Sequence, residues 1–322
     1  MELRTNRNLV GRVRAGMIGA TRVRSWSIHV YPEASIEDYL NYGHLEGPRF
    51  IVRCPFPHSF WADPCIAQTD EGVTWIFVEE FQRWIGKGKI AAFKWSEFGP
   101  TDYRVVLSGP HHYAFPSVVR QATTGSWLAT ADTCDCPQPF FSFAQLGDPW
   151  VRVDQENLYG HLTDPQLGES SHVYEIWATD WFANEDAELS IWRGGPLSGW
   201  VKQGNREFTR GDCRSGGTLD LARGLRATQH RDQGVYGKFL TIDEIGANDA
   251  STLPKRIEPS DFGFDGVHTI SWLLNGRGVV LDGWTYTPSL LGAPLHLRDL
   301  AHLKKCRRSC RRRHSSKTQR DE

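Results

Sequence analysis

No stretch of 18 apolar residues occurs in the chain, which excludes a membrane-spanning helix. Net charge is nearly absent too: 37 basic against 38 acidic residues leave a balance of −1, so nothing global favours nucleic acid or an anionic membrane as partner. Methionine is scarce, with two residues. Cysteine is odd in number, at seven; the close pairs Cys134/Cys136 and Cys306/Cys310 lack the four-ligand spacing of a zinc site. No metal motif is visible and none is expected; oxygen ligands suit calcium, so a cation held by axial carboxylates is conceivable, but no loop has the spacing of a calcium site. The first 24 residues are arginine-rich, and Val10, Val13, Met17 and Ile18 are too scattered for a signal-peptide core. Reduced thiols in a cytoplasmic location are the simplest expectation.

What is abundant is glycine, 31 residues, and tryptophan, 13. Both suit an all-β chain with many turns, in which most aromatics pack between sheets. The organising stretch is Phe60-Trp61-Ala62-Asp63-Pro64, an aspartate at the mouth of an apolar strand. Buried carboxylates need a partner or a task; Asp-Pro there can also serve as a turn former. Related openings stand at Phe115-Pro116-Ser117-Val118, Thr163-Asp164-Pro165-Gln166, Arg214-Ser215-Gly216-Gly217 and Val267-His268-Thr269-Ile270. A period of about 50 residues built of short strands is the signature of propeller blades. The spacing predicts an all-β, five-bladed β-propeller between residues 26 and 295. A leader covers 1–25, and a basic tail over 296–322 is expected to be disordered. Early strands at Trp26–Tyr31 and Phe50–Arg53 would close the last blade and remove an open edge. Ser35–Leu40 reads as one short helix.

A second polar series ends the next strand of each repeat, at Glu80, Asp132, Asp180, Gln229 and Asp282. A hairpin brings the start of its first strand beside the end of its second. Both series should therefore meet on one face near the axis, in a single polar pocket. Asp63, Asp164 and Asp132 are the candidate catalytic acids. Trp61, Glu80, Arg214, Arg226, Gln229, His268 and Asp282 are the candidate binding residues. The guanidinium groups of Arg214 and Arg226 suit a phosphate or carboxylate, or would neutralise the ring of acids. His268 can donate to a sugar hydroxyl or shuttle a proton, and a structural role is open to it too. Asp282 before Gly283 can equally cap a turn.

Taken in order, Phe60–Pro64, Phe77-Val78-Glu79-Glu80, Phe115–Val118, Thr163-Asp164-Pro165, Leu197–Trp200, Cys213–Gly217, Arg226–Gln229, Tyr236-Gly237 and Val280–Gly283 resemble the N-terminal domain of plant glucosamine inositolphosphorylceramide transferases and its bacterial surface-glycan relatives. More distantly, the chain resembles the five-bladed propellers of family 43 glycoside hydrolases. The resemblance implies a glycan-related role, with key acids on the first strands of blades one to three. Asp63 matches blade one and Asp164 blade three, but blade two offers Ser117 and no carboxylate; Asp132 is the nearest substitute. That departure weakens simple hydrolysis and leaves room for transfer from a nucleotide-sugar donor. Three readings follow: a glycosyl-transferring or glycosyl-cleaving enzyme, a glycan-binding propeller serving a partner glycosyltransferase, and an interaction scaffold.

Overall fold

The computed structural model describes residues 22–133, 138–153, 162–170, 173–180, 188–195, 198–207, 214–232, 235–245, 254–289 and 294. Most of the expected leader, the whole expected tail and the Cys134/Cys136 and Cys306/Cys310 pairs lie outside these residues.

The described chain is almost wholly β. It opens with β1 (Arg22–Tyr31), α1 (Ile36–Tyr42) and β2 (Phe50–Val52). β1 begins inside the stretch expected to be leader. α1 starts where Ser35 and Asp38 form a reciprocal capping box, and it stops at Gly43 in a left-handed conformation. It lies one to two residues beyond the helix expected from sequence.

Three four-stranded antiparallel sheets follow. The first holds β3 (Ser59–Gln68), β4 (Thr74–Gln82), β5 (Lys87–Ser96) and β6 (Gly99–Leu107) in chain order. The second holds β7 (Tyr113–Arg120), β8 (Trp127–Thr133), β9 (Phe140–Phe143) and β10 (Val151–Val153). The third holds β11 (Leu162–Ser170), β12 (Val173–Asp180), β13 (Glu188–Gly195) and β14 (Gly199–Glu207). The rest joins into one eight-stranded sheet. Its one half is β15 (Ser215–Asp220), β16 (Leu225–Asp232), β17 (Val235–Glu244) and β18 (Lys255–Ile257). Its other half is β19 (Gly266–Trp272), β20 (Val279–Pro288), β1 and β2, and the halves touch through a single parallel pairing, Gly217 with Ile270. β1 pairs with β20 along all ten of its residues, so the earliest strand completes the sheet that the last strands begin.

The sheets pack face against face. Trp75, Phe77 and Ile90 of the first sheet meet Trp127, Phe141 and Phe143 of the second. Leu128 and Phe140 of the second meet Ile176 and Trp200 of the third. Trp177 and Leu189 meet Leu219 of β15. Leu240 and Ile242 meet Ile270, Leu281 and Tyr31. Ile28, Val30 and Val280 meet Ile76, Val78 and Phe93 of the first sheet again. Alternating apolar side chains on both faces of each sheet explain why every neighbour is needed to cover them. Strands β3, β7, β11, β15 and β19 contact one another in that order, and β19 contacts β3.

Candidate functional site

The inner strands share a local distortion. Antiparallel register slips between Ala62 and Cys65 in β3, between Ala114 and Ser117 in β7, and between Thr163 and Gln166 in β11. At each slip one residue adopts positive φ: Asp63 at 51°, Phe115 at 46° and Asp164 at 48°. Each is followed by a proline, which has no N–H to donate and favours the irregularity. Positive φ in a residue with a side chain is strained backbone. Carboxylates take up the backbone N–H groups that the bulges release. Asp63 N donates to Asp282 Oδ2 at 2.8 Å, Phe115 N to Asp63 Oδ2 at 3.2 Å and Asp164 N to Asp132 Oδ2 at 3.3 Å. The acids thus hold the strand mouths in shape and are gathered at the same time.

This geometry corrects the equivalence read from sequence. The second-sheet counterpart of Asp63 and Asp164 is Phe115, not Pro116 or Ser117. Ser117 has another task two residues on: its Oγ accepts from Leu167 N at 2.8 Å. Thr218 Oγ1 accepts from Trp272 N at 3.1 Å and Ser271 Oγ from Ile66 N at 3.2 Å in the same manner. These bonds stitch neighbouring inner strands around an axial cavity lined by Asp63, Cys65, Ser117, Thr218 and Ser271.

Asp63 lines that cavity and belongs to one of two neighbouring groups of acids. In the first, His268 Nδ1 lies 2.9 Å from Asp63 Oδ1 and 3.5 Å from Asp282 Oδ2. Asp282 is fully buried, and its Oδ1 accepts from Thr269 N and Oγ1, both at 2.7 Å. Glu79, also buried, is in hydrogen-bond contact with Asp63. In the second, Arg214 Nε donates to Asp164 Oδ2 at 2.6 Å, and Gln229 Nε2 reaches the same oxygen at 3.4 Å and Ser215 O at 2.5 Å. Half-buried Asp132 is in contact with Asp164. The groups feel each other: Asp164 acts on Asp63, and Asp132 on Glu79.

Five carboxyl groups in one buried hollow cannot all ionise against one arginine and one histidine. Burial, and then the neighbouring Asp164, pushes Asp132 well above the usual carboxylate range. Burial, and then Asp63, does the same to Glu79. Asp63 is raised as well, chiefly by burial, with His268 opposing. Glu79 and Asp132 are therefore the members whose surroundings most favour the protonated form. Asp63, His268 and Asp282 place one nitrogen or oxygen each within 4.8 Å of one another. Protein N–H and O–H groups donate to both Asp282 oxygens.

Three expected site residues are not brought to this hollow. Glu80 turns the other way, accepting from Trp61 Nε1 at 3.3 Å and Tyr103 Oη at 2.6 Å and pairing with Lys89 at 2.9 Å. Consecutive residues of a strand face opposite sides, so only one of Glu79 and Glu80 can point to the axis, and it is Glu79. Trp61 stacks on Phe93 and Tyr103 inside the core. Arg226 is buried between strands, with Nε donating to Gln166 Oε1 at 2.8 Å and its guanidinium 5.9 Å from the Trp177 ring centre. Asp63, Asp132, Asp164, Arg214, Gln229, His268 and Asp282 do converge. Strand alternation shows that one of Glu79 and Glu80 faces inward, and the pairing of β4 with β3 selects Glu79. His112, whose Nε2 lies 3.7 Å from Glu79 Oε1, sits in a loop between sheets and had no periodic signal.

No protein-family profile matches the chain, and no characterised protein matches it in sequence. Solved structures do. Xyloglucan PUL GH43B of Bacteroides ovatus superposes with a TM-score of 0.50 at 10% identity, covering 73% of this chain and 53% of that one. The exo-β-1,3-galactanase 1,3Gal43A of Clostridium thermocellum gives 0.49 at 9% identity, covering 70% and 58%. A family 117 glycoside hydrolase of Zobellia galactanivorans gives 0.45 at 14%, covering 72% and 86%. At such identities the likeness concerns the fold alone, and of these three superpositions the Bacteroides ovatus one bears on it: a β-propeller. The chain spans about half the length of that protein.

Proposed function

We propose that the chain is a carbohydrate-active enzyme that cleaves or transfers a glycosyl group at the axial acids. Its fold reads as one five-bladed propeller domain over residues 26–295, the eight-stranded sheet counting as two blades. The observation that carries the proposal is the split among the acids. Asp164 is clamped by Arg214, burial and Asp164 push Asp132 beside it well above the usual carboxylate range, and Asp63 stands in the neighbouring group with His268. Glycosidic chemistry asks for one carboxylic acid and one carboxylate about an oxocarbenium-like transition state. In this reading the bond from the anomeric carbon to the leaving oxygen breaks as Asp132 gives that oxygen its proton. Water or an acceptor hydroxyl forms the new bond and passes its proton to Asp63. Asp164, Arg214 and Gln229 hold sugar hydroxyls.

The two arginines offered by the sequence for donor phosphates are otherwise engaged, Arg214 with Asp164 and Arg226 in the interior. That favours a plain glycoside over a nucleotide-sugar donor at this site. A place in cell-surface glycan or glycolipid assembly stays part of the proposal through the family resemblance. Asp63→Asn is the test: turnover of a responsive glycoside should fall at least a hundredfold while binding persists. Unchanged turnover would sink the assignment.

Phe115 supports a second reading. With no carboxylate on that bulge, the propeller would bind a glycan without reacting it and present it to a partner transferase. Binding that changes in Asp63→Asn, with no turnover of glycosides or sugar nucleotides by either protein, would select this one.

A further inference from the structure

Glu79 takes no part in the chemistry above, yet its surroundings are built around it. It lies on β4 opposite Ala62, one residue from the Asp63 bulge. Its Oε1 is buried and accepts no hydrogen bond from a protein group. Gly88 on the next strand leaves room for it, since a Cβ there would overlap both Glu79 Oε1 and Tyr113 O. Gly88 N also donates to His112 Nδ1 at 2.7 Å. A ring nitrogen that accepts carries no hydrogen, so the imidazole hydrogen sits on Nε2, the atom that faces Glu79 Oε1. Two carboxyl groups in contact need a proton between them, because two carboxylates would repel in a hollow shielded from water.

We propose that Glu79 and Asp63 form one proton-sharing carboxyl pair, in which Glu79, lying beside His112 and in the space left by Gly88, is the positioning residue that fixes the protonation and orientation of Asp63. The groups facing Glu79 are Asp63 from β3, His112 from the connection before β7, Asp132 from β8 and His268 from β19. Burial is the largest influence on Glu79 and keeps the shared proton in place; the Asp63 charge acts the same way and His268 opposes it. The pair then loses protons in two steps. Between the steps, neutral Glu79 donates to ionised Asp63. Above the upper step both are charged and repel. The catalytic meaning of the pair rests on reading Asp63 as the base; the shared proton does not.

Carboxyl-carbon NMR on Asp- and Glu-labelled protein, titrated without ligand, tests it. In the native chain the Asp63 and Glu79 resonances should each show both steps. In Glu79→Gln, whose amide still donates to Asp63, the upper step should vanish and Asp63 should titrate once, at lower pH. Asp63→Asn, read on Glu79, should likewise leave a single step, so a folding failure of one variant does not block the test. His112→Gln, which keeps an acceptor for Gly88 and a donor toward Glu79, should retain two steps. Independent single titrations in the native chain, or an Asp63 curve unchanged in Glu79→Gln, would overturn the pair. Where turnover exists, Glu79→Gln should move the alkaline limb of the pH profile up by a unit or more, which a merely structural residue would not do. Two-step coupling without any turnover would leave the pair standing and remove the enzyme reading. Turnover that needs Asp63, without coupling, would do the reverse.

Discussion

Arg214 Nε stands 2.6 Å from Asp164 Oδ2, with the two side chains 16% and 6% exposed. The arginine comes from the residue just before β15, and the aspartate from the bulge of β11, so the pair ties two sheets at the rim of the acid hollow. Removing one partner of a buried pair leaves an uncompensated charge. Arg214→Ala should therefore destabilise the fold by about 3 kcal/mol. Arg214→Ala combined with Asp164→Asn should cost less than Arg214→Ala alone. Urea denaturation of the two variants and the native chain measures both.

Gly88→Ala places a methyl group against Glu79 Oε1 and a backbone carbonyl. The side chain can swing away, but the carbonyl of Tyr113 cannot. A loss of roughly 1–3 kcal/mol is expected, as for overpacking elsewhere. Thermal unfolding checks the loss, and a shifted Glu79 carboxyl resonance would show that the added methyl reaches the acid.

Asp132 should make the protein less stable as pH rises. Its proton is held more tightly folded than unfolded, through burial and Asp164. The folded state thus binds more protons above the ordinary aspartate range, and stability falls with pH until the raised folded value is passed. Asp132→Asn removes that penalty. Its melting temperature relative to the native chain should be flat below about pH 4 and should climb above it. A constant difference across pH 4–9 would contradict the assignment.

His29 carries the opposite sign. Burial first, then the charges of Arg49 and Arg53, lowers its pKa to about 4. It packs against Phe264 with ring centres 4.3 Å apart. The folded state refuses a proton that the unfolded chain accepts below about pH 6.5. Stability is full above that value and is lost as pH falls toward 4, by about 3 kcal/mol in all. His29→Phe should flatten that acid limb in denaturation curves recorded between pH 4 and 7.

Much of this architecture was legible because strands and turns write themselves locally. Asp70-Glu71-Gly72 marks the first hairpin, where Gly72 takes φ 81° and Thr69 N bonds to Val73 O. Ser35 with Asp38 marks the start of α1. The gathering of acids followed from hairpin geometry, and Asp63, Asp132, Asp164, His268 and Asp282 do meet. Facing was harder to read. Glu79 and Glu80 are chemically alike, and only the pairing of β4 with the bulged β3 decides which one enters the hollow. Arg226 looked like a ligand for an anion because sequence does not show that Gln166, 60 residues away, is there to receive it. Phe115 was masked by its neighbours: Pro116 and Ser117 looked like the polar position, but the positive φ lies one residue earlier.

The most direct measurement is a crystal of the protein soaked with a panel of oligosaccharides and sugar nucleotides. The proposal predicts sugar density between Asp63 and Arg214, with hydroxyls on the acids and the glycosidic oxygen beside Asp132. A saccharide bound elsewhere on the molecule, with this hollow left to water, would contradict it.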